Sequence, residues 1–338
     1  MSVLYFLFGL VCSPLIYFIY KVFKLISLQH SRKKNEENLE ELESAEEEKN
    51  TAEPHTALAE IANTRKIKSF VPDEFVKLLK KKSVTELKLG DHHQQEMTIF
   101  FTDIRRFTEL FEVLTPEDGF KFINSYLTRI VPVIEHYGGF VDKYIGDAVM
   151  ALFPQYNGAD MAIQAAIEIQ KRIQDYNQHR AKHGYRPLEI GLGIHTGTLM
   201  LGVIGVHNRM QSTVISDAVN LASRIEDLTK AFGVSMAISG ETFRKLEHPE
   251  SYMFRYLGNV KVKGKGEATR VYEILNGIDS DELEKKMKTN MFFEQGLFSF
   301  VQKNYADAQE NFTKVLETVP TDLASSIYLE HCKKKTQK

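Results

Sequence analysis

Two aspartates stand where a chain could do divalent-metal chemistry. Asp103 lies near the end of the apolar run MTIFFTDI, which reads as a buried strand, and Asp147 follows Gly146 in a turn between FVDKYI and AVMALF. A Gly-Asp pair between two such runs makes a tight antiparallel connection, so both carboxylates fall at strand ends. Brought together there, they could hold two magnesium ions, because hard cations take oxygen ligands and two-metal sites space them roughly 4 Å apart. That arrangement serves phosphoryl chemistry: one ion lowers the pKa of an attacking hydroxyl, and the other neutralises a polyphosphate and its departing fragment. Taken singly, each aspartate reads equally well as a strand cap or a turn residue.

Asn220 and Arg224 stand four apart in DAVNLASRIEDLTKAF, a helical pattern that puts both on one face. VKVKGKGE offers Lys261, Lys263 and Lys265 on what also reads as a solvated basic strand. His195 in an apolar strand and the adjacent His92 and His93 lack a spaced partner, so they read as packed or solvated side chains rather than zinc ligands. Gly202 and Gly205 in LGVIG resemble a fragment of a phosphate loop, but no Gly-Lys-Ser/Thr comes after them, and close strand packing accounts for them.

Alternating strands and helices must position these groups. Apolar residues of helical period run from Asp118 to His136, with Gly138-Gly139 as the stop, and a second helix runs from Ala159 to His179. EIGLGIHTGTLMLGVIG and STVIS supply further strand material ahead of the helix bearing Asn220 and Arg224. The pattern predicts an α/β or α+β fold with helices packed on one sheet. Hydrophobic residues make up 43% of the 338 and charged residues 26%, enough apolar material for a proper core. The net charge of −2 leaves no nucleic-acid footprint, and Cys12 and Cys332 are too far apart in kind and position for a disulfide framework.

FFTDIRRFT, GGFVDKYIGDAVMALF, GIHTGTLMLGVIG and TVISDAVNLASRIE, in this order, closely resemble the signature segments of class III adenylyl and guanylyl cyclases. With the lead-in VPDEF and LGD, the resemblance covers roughly residues 68 to 275. It implies a palm-like, ferredoxin-type βαββαβ domain that converts ATP to 3′,5′-cyclic AMP and pyrophosphate with two Mg²⁺ or Mn²⁺ ions per site. Asp103 and Asp147 become the metal ligands, with the backbone carbonyl of Ile104 as a further one. Lys143 and Thr213 become the base readers, Asn220 and Arg224 the pair that orients ribose and stabilises charge at the reacting phosphate, and Lys263 the triphosphate lysine.

A lysine can donate to a ring nitrogen of adenine and a threonine hydroxyl can meet its exocyclic amine, whereas guanine presents a carbonyl oxygen. Guanylyl cyclases of the family usually carry Glu and Cys at these places, so the Lys/Thr pair favours ATP. Thr in place of the usual Asp resembles a mainly bacterial subgroup that includes bicarbonate-responsive enzymes. The alternatives are a guanylate cyclase and an inactive cyclase-like scaffold. A diguanylate cyclase lacks support because GG[DE]EF is missing. In the family the aspartates come from one subunit and the base-reading and Asn/Arg groups from the other, which implies a homodimer with two complete sites. Two departures stand out: Arg106 where glycine is frequent, and Ser216 where glycine often precedes Asp217.

Five segments are expected. Residues 1–28 hold the uncharged run VLYFLFGLVCSPLIYFIY, long enough for one membrane span, and the cations from Lys21 onward would keep the downstream residues in the cytoplasm. The expectation is therefore a single-pass cell-membrane anchor with a cytoplasmic catalytic domain, favoured over a cleaved signal peptide or a lipid anchor on Cys12. Residues 29–66 read as a polar helical tether, 67–96 as a lead-in, and 97–276 as the catalytic domain. In 277–338, Phe292, Gly296, Tyr305, Ala308, Phe312 and Pro320 fall on the positions of a single tetratricopeptide-like (TPR) repeat, which should pack on the catalytic domain or on a protein partner.

Overall fold

The run MTIFF is apolar at nearly every position because its strand is covered on both faces. In the computed structural model, which describes residues 71–261 and 268–337, strand β1 (His92–Ile104) lies between β3 (Ala148–Phe153) and β4 (Ile190–Val206), antiparallel to both. Phe100 and Ile104 meet helices α3 (Pro116–His136) and α4 (Gly158–Lys182). Met97, Ile99 and Phe101 point the other way, toward Phe75 and Leu79 of the lead-in and Ala218 and Ala222 of α5 (Asp217–Phe232). The lead-in helix α1 is Asp73–Leu78, and a short α2 (Phe107–Glu112) precedes α3.

β2 (Phe140–Ile145) and β3 make the hairpin expected at Gly146, whose φ of 66° suits glycine. The connection β1-α3-β2-β3-α4-β4 is the expected βαββαβ path. β5 (Arg209–Ile215) pairs beside β4, and β6 (Met236–Ser239) joins β4 in parallel. The short α6 (Gly240–Arg244), β7 (Phe254–Lys261) and β8 (Ala268–Ile274) complete the core. The described strands thus form an eight-stranded mixed sheet in the order β2-β3-β1-β4-β6-β8-β7, with β5 off this path. Gly193 and Gly197 let α5 sit directly on β4: a Cβ at Gly193 would lie 2.3 Å from the Glu226 backbone N, and one at Gly197 2.9 Å from the Ala218 Cβ. Gly202 is likewise a close-packing glycine, with a Cβ there falling 2.9 Å from the Asp91 carbonyl oxygen.

Two expectations need correction. β1 begins at His92, so residues 92–96 belong to the sheet and not to the lead-in. Their ladder to β4, starting at His92 opposite Gly202, holds polar side chains in strand form. The C-terminal segment is three helices rather than a two-helix repeat alone: α7 (Ser280–Val301), α8 (Tyr305–Thr318) and α9 (Leu323–Thr336). Ala324, Tyr328 and Cys332, each four residues on, give α9 an apolar face, and Asp322 caps it by accepting from the Ser325 N–H at 3.1 Å.

As expected, this segment packs on the catalytic core. Phe293, Leu297, Ala308, Phe312 and Ala324 share one cluster with Leu221, Ile225 and Phe232 of α5, Leu257 of β7 and Val271 of β8. A buried ion network crosses the same junction: Arg255 meets Glu273 at 2.7 Å and also Asp322, and Lys286 meets Glu273 at 2.6 Å. No helix among the described residues is long and apolar enough to cross a membrane. The expected anchor (1–28), the tether (29–66) and Lys263 lie outside the described residues.

Candidate active site

Asp103 reaches the end of β1 with its carboxylate accepting the Ile104 backbone N–H at 3.0 Å, and Asp147 accepts that same N–H at 3.2 Å from the β2-β3 turn. The two acids are thus brought together, as their sequence positions suggested. Burial, then the neighbouring Asp103, pushes the Asp147 carboxyl up to about 7. Two carboxylates brought together at a strand end suit a hard divalent cation. Among the described residues no group of three or more His, Cys, Asp or Glu forms a closed cage. The donor set therefore fits a site whose remaining ligands are backbone carbonyl, water and phosphate oxygens, with Asp103, Asp147 and the carbonyl of Ile104 as the protein's share.

Glu226 carries no mark in the sequence that singles it out. It lies on the sheet-facing side of α5, two turns on from Ala218, and a Cβ at Gly191 would fall 2.2 Å from its Oε1. Gly191 is the ladder partner of Asp103, so this third carboxyl stands beside the pair. Burial and then Asp103 push it up to about 7. An indirect signal exists: Gly191, Gly193 and Gly197 occupy one face of a single strand, the spacing of a helix lying on it. Arg105 points toward this corner and donates to the Val234 carbonyl at 2.6 Å.

Lys143 and Thr213 also come together, with Lys143 Nζ donating to Thr213 Oγ1 at 3.2 Å across β2 and β5. Neighbouring side chains of a regular strand face opposite ways, yet Lys143 Nζ also lies 3.2 Å from Asp142 Oδ2. A bulge between Val141 and Lys143 brings both to one side. The Asp142 carboxyl is buried, which pushes its pKa up, and it holds the ammonium in place. Sequence reading missed Asp142, since a bulge leaves no mark in FVDKYI.

Asn220 and Arg224 share the outer side of α5, one exposed and the other half-buried, and neither makes a hydrogen bond or ion pair among the described residues. No such contact links them, Lys143 or Thr213 to the carboxylate pair. One protomer thus carries two separate sets of polar groups. Ser216 accepts from the Ala218 N–H at 3.0 Å and donates to the Thr198 carbonyl at 2.7 Å, capping α5 with extended backbone that has no need of glycine. Arg106, by contrast, adopts φ 56°, a conformation that glycine adopts without strain. His195 is packed, with Nδ1 2.8 Å from Ser239 Oγ.

The model of the adenylate and guanylate cyclase catalytic domain matches residues 90–276, more than half of the chain. The chain belongs to this cyclase family. The family match begins beside the observed start of β1. Over 210 residues the chain is 42% identical to an adenylate cyclase of Anabaena cylindrica, an alignment that covers 61% of this chain and 42% of that protein. Over 271 residues it is 36% identical to the terminal-differentiation-specific adenylate cyclase of Dictyostelium discoideum, covering 79% of this chain and 13% of that one. The chain spans less than half the length of either relative. Among solved structures, the adenylyl cyclase CyaB from P. aeruginosa is 34% identical with a TM-score of 0.50, over 56% of this chain and 96% of that one. A bacterial light-regulated adenylyl cyclase is 26% identical with a TM-score of 0.58, over 67% and 65% of the two chains.

Proposed function

We propose that this cyclase is an adenylate cyclase that forms 3′,5′-cyclic AMP and pyrophosphate from ATP, with each active site shared between two copies of the chain. The observation that carries the choice of ATP is the 3.2 Å contact between Lys143 and Thr213. Held beside each other, the ammonium donates to an adenine ring nitrogen and the hydroxyl accepts from the exocyclic amine. Guanine would present a carbonyl oxygen and a differently placed amine. The relatives named as adenylate cyclases support the same reading.

In the reaction, the ribose 3′-oxygen forms a bond to the α-phosphorus, the bond to the bridging oxygen breaks, pyrophosphate leaves, and the 3′-hydroxyl proton departs. Asp103, Asp147 and the Ile104 carbonyl would hold two Mg²⁺ or Mn²⁺ ions, which when bound lower the pKa of the hydroxyl and offset the phosphate charge. Asn220 orients the ribose from the facing protomer. Arg224 places its guanidinium against the charge that builds on the reacting phosphate. Lys263, which lies outside the described residues, is the lysine that the family resemblance offers for the triphosphate.

Homodimerisation is supported by the separation of the two polar sets within one protomer. It is supported too by the exposed apolar residues Tyr144 and Ile145 beside Lys143, and Ile204, Val206 and Met210 on the β4-β5 hairpin. The uncharged run ahead of Lys21 supports a single-pass membrane anchor with the catalytic domain in the cytoplasm. The fit of Gly296 against Phe312, where a Cβ would lie 2.9 Å from the ring, supports a TPR-like pairing of α7 and α8 and through it a protein partner. Purified protein given ATP or GTP with Mg²⁺ or Mn²⁺ tests the function. Cyclic AMP should dominate, and turnover of GTP as fast as that of ATP would overturn the reading.

A further inference from the structure

Tyr328 on α9 is in contact with α5, α7, α8 and β7 at once. Its ring stacks on Phe312 of α8 (centroids 5.4 Å apart, planes at 13°) and on Phe232, the last residue of α5 (6.5 Å, 20°). It meets Phe293 and Phe300 of α7 edge-on, at 6.3 and 5.2 Å. Its hydroxyl donates to the Leu257 carbonyl at 2.6 Å. Leu257 is the extra residue where the β7-β8 register slips between Tyr256 and Gly258. Gly258, with φ 113°, makes room, since a Cβ there would lie 2.4 Å from the Tyr328 hydroxyl oxygen. Burial pushes the phenol up to about 12, so it stays a donor across the working range.

The same helix grips α5 at a second point. Gly233 ends α5 in the left-handed conformation, and a Cβ on it would meet the Leu323 Cβ at 2.9 Å. The contact itself forms part of the wall of a groove of about 730 Å³, where Tyr328, Phe232 and Gly258 are joined by Asn259, Lys261 and Phe298.

We propose that α9 is part of the catalytic apparatus: through Tyr328 and Leu323 it fixes the C-terminal end of α5 against β7, and so sets where Asn220 and Arg224 stand. Tyr328 is a positioning residue in this scheme. The inference rests on the reading of Asn220 and Arg224 as substrate-facing groups. Both lie on the helix whose opposite side is seated on β4 through Gly193 and Gly197. Leu221, Ile225 and Phe232 of the same helix are buried in one cluster with Ala324 of α9, so the contacts at its C-terminal end are continuous with its packing. Small displacements of a charge-stabilising group cost rate far more than they cost substrate binding.

The test uses the full chain. Tyr328→Phe removes the bond to Leu257 and keeps the ring stack, while Tyr328→Leu removes both. With ATP, kcat should fall about threefold in the first and about tenfold in the second, with KM within about twofold of wild type. In an Arg224→Ala background, read on its residual turnover, Tyr328→Phe should cost less than it does in the wild type, because one of the two positioned groups is gone. A purely structural role predicts an unchanged kcat at about 25 °C with a lowered unfolding midpoint, or a loss that multiplies with Arg224→Ala; either overturns the proposal. Hydrogen exchange gives a readout without turnover: in Tyr328→Leu, amides of α5 should exchange faster relative to those of α3. Equal protection in α5 would overturn the clamp even if the chain made no cyclic AMP, a result that would separately defeat the cyclase reading. If Tyr328→Leu proves insoluble, the phenylalanine variant decides.

Discussion

The carboxylates of Asp103 and Asp147, from different strands, share one donor, the backbone N–H of Ile104, at 3.0 and 3.2 Å. A single N–H cannot offset two negative charges, so the pair is held together at an electrostatic cost that a bound cation would relieve.

That cost has a pH signature. Burial and Asp103 raise the Asp147 carboxyl from 3.8 to about 7 in the folded chain. The folded state therefore binds this proton more tightly than the unfolded state, and stability from this group declines as pH climbs from about 4 to about 7. Asp147→Asn should raise the Tm of metal-free protein by about 2 °C at about pH 8, with the gain vanishing near about pH 4. Mg²⁺ should raise the Tm of the wild type and leave the variant unmoved, while the variant's activity falls by roughly 10²-fold or more. Thermal scans in chelator and in Mg²⁺ at the two pH values check this.

The Lys143 contact with Thr213 predicts a specificity change. Lys143→Glu replaces a donor by an acceptor opposite the base, so kcat/KM for ATP should drop by roughly 10²-fold. The ratio of GTP to ATP turnover should rise, because guanine has donors where adenine has an acceptor. Competing nucleotides in one assay, with both cyclic products quantified, would measure the ratio directly.

Asp322 ties the C-terminal helices to the core by meeting the buried Arg255. Asp322→Ala leaves that guanidinium with Glu273 alone and removes the cap of α9, so it should destabilise by about 3 kcal/mol or more. Because one apolar cluster spans the junction, core and C-terminal helices should unfold in a single transition. Urea titration monitored by tyrosine fluorescence and by circular dichroism should give coincident curves in wild type and variant.

Much of this site is legible in the sequence, and for physical reasons. Asp103, Asp147, Asn220 and Arg224 are set by turn chemistry and helical spacing, both local, and Gly146 marks its turn by a φ that other residues resist. The features that stay hidden depend on partners distant in sequence. Asp142 faces Lys143 only because β2 bulges against β3. Glu226 reaches Asp103 only because α5 lies on glycines of β4. The third C-terminal helix escapes notice because a two-helix repeat pattern accounts for the stretch before it, and Ala324, Tyr328 and Cys332 gain meaning only against α5 and β7.

The shared site is tested most directly by complementation. Asp103→Ala and Arg224→Ala should each keep only a small residual activity alone, since either loss spoils both sites of its own homodimer. Mixed and allowed to exchange subunits, they should form heterodimers with one intact site, restoring up to about a quarter of wild-type cyclic AMP formation from ATP. No recovery in a mixture shown by cross-linking to contain heterodimers would contradict the account.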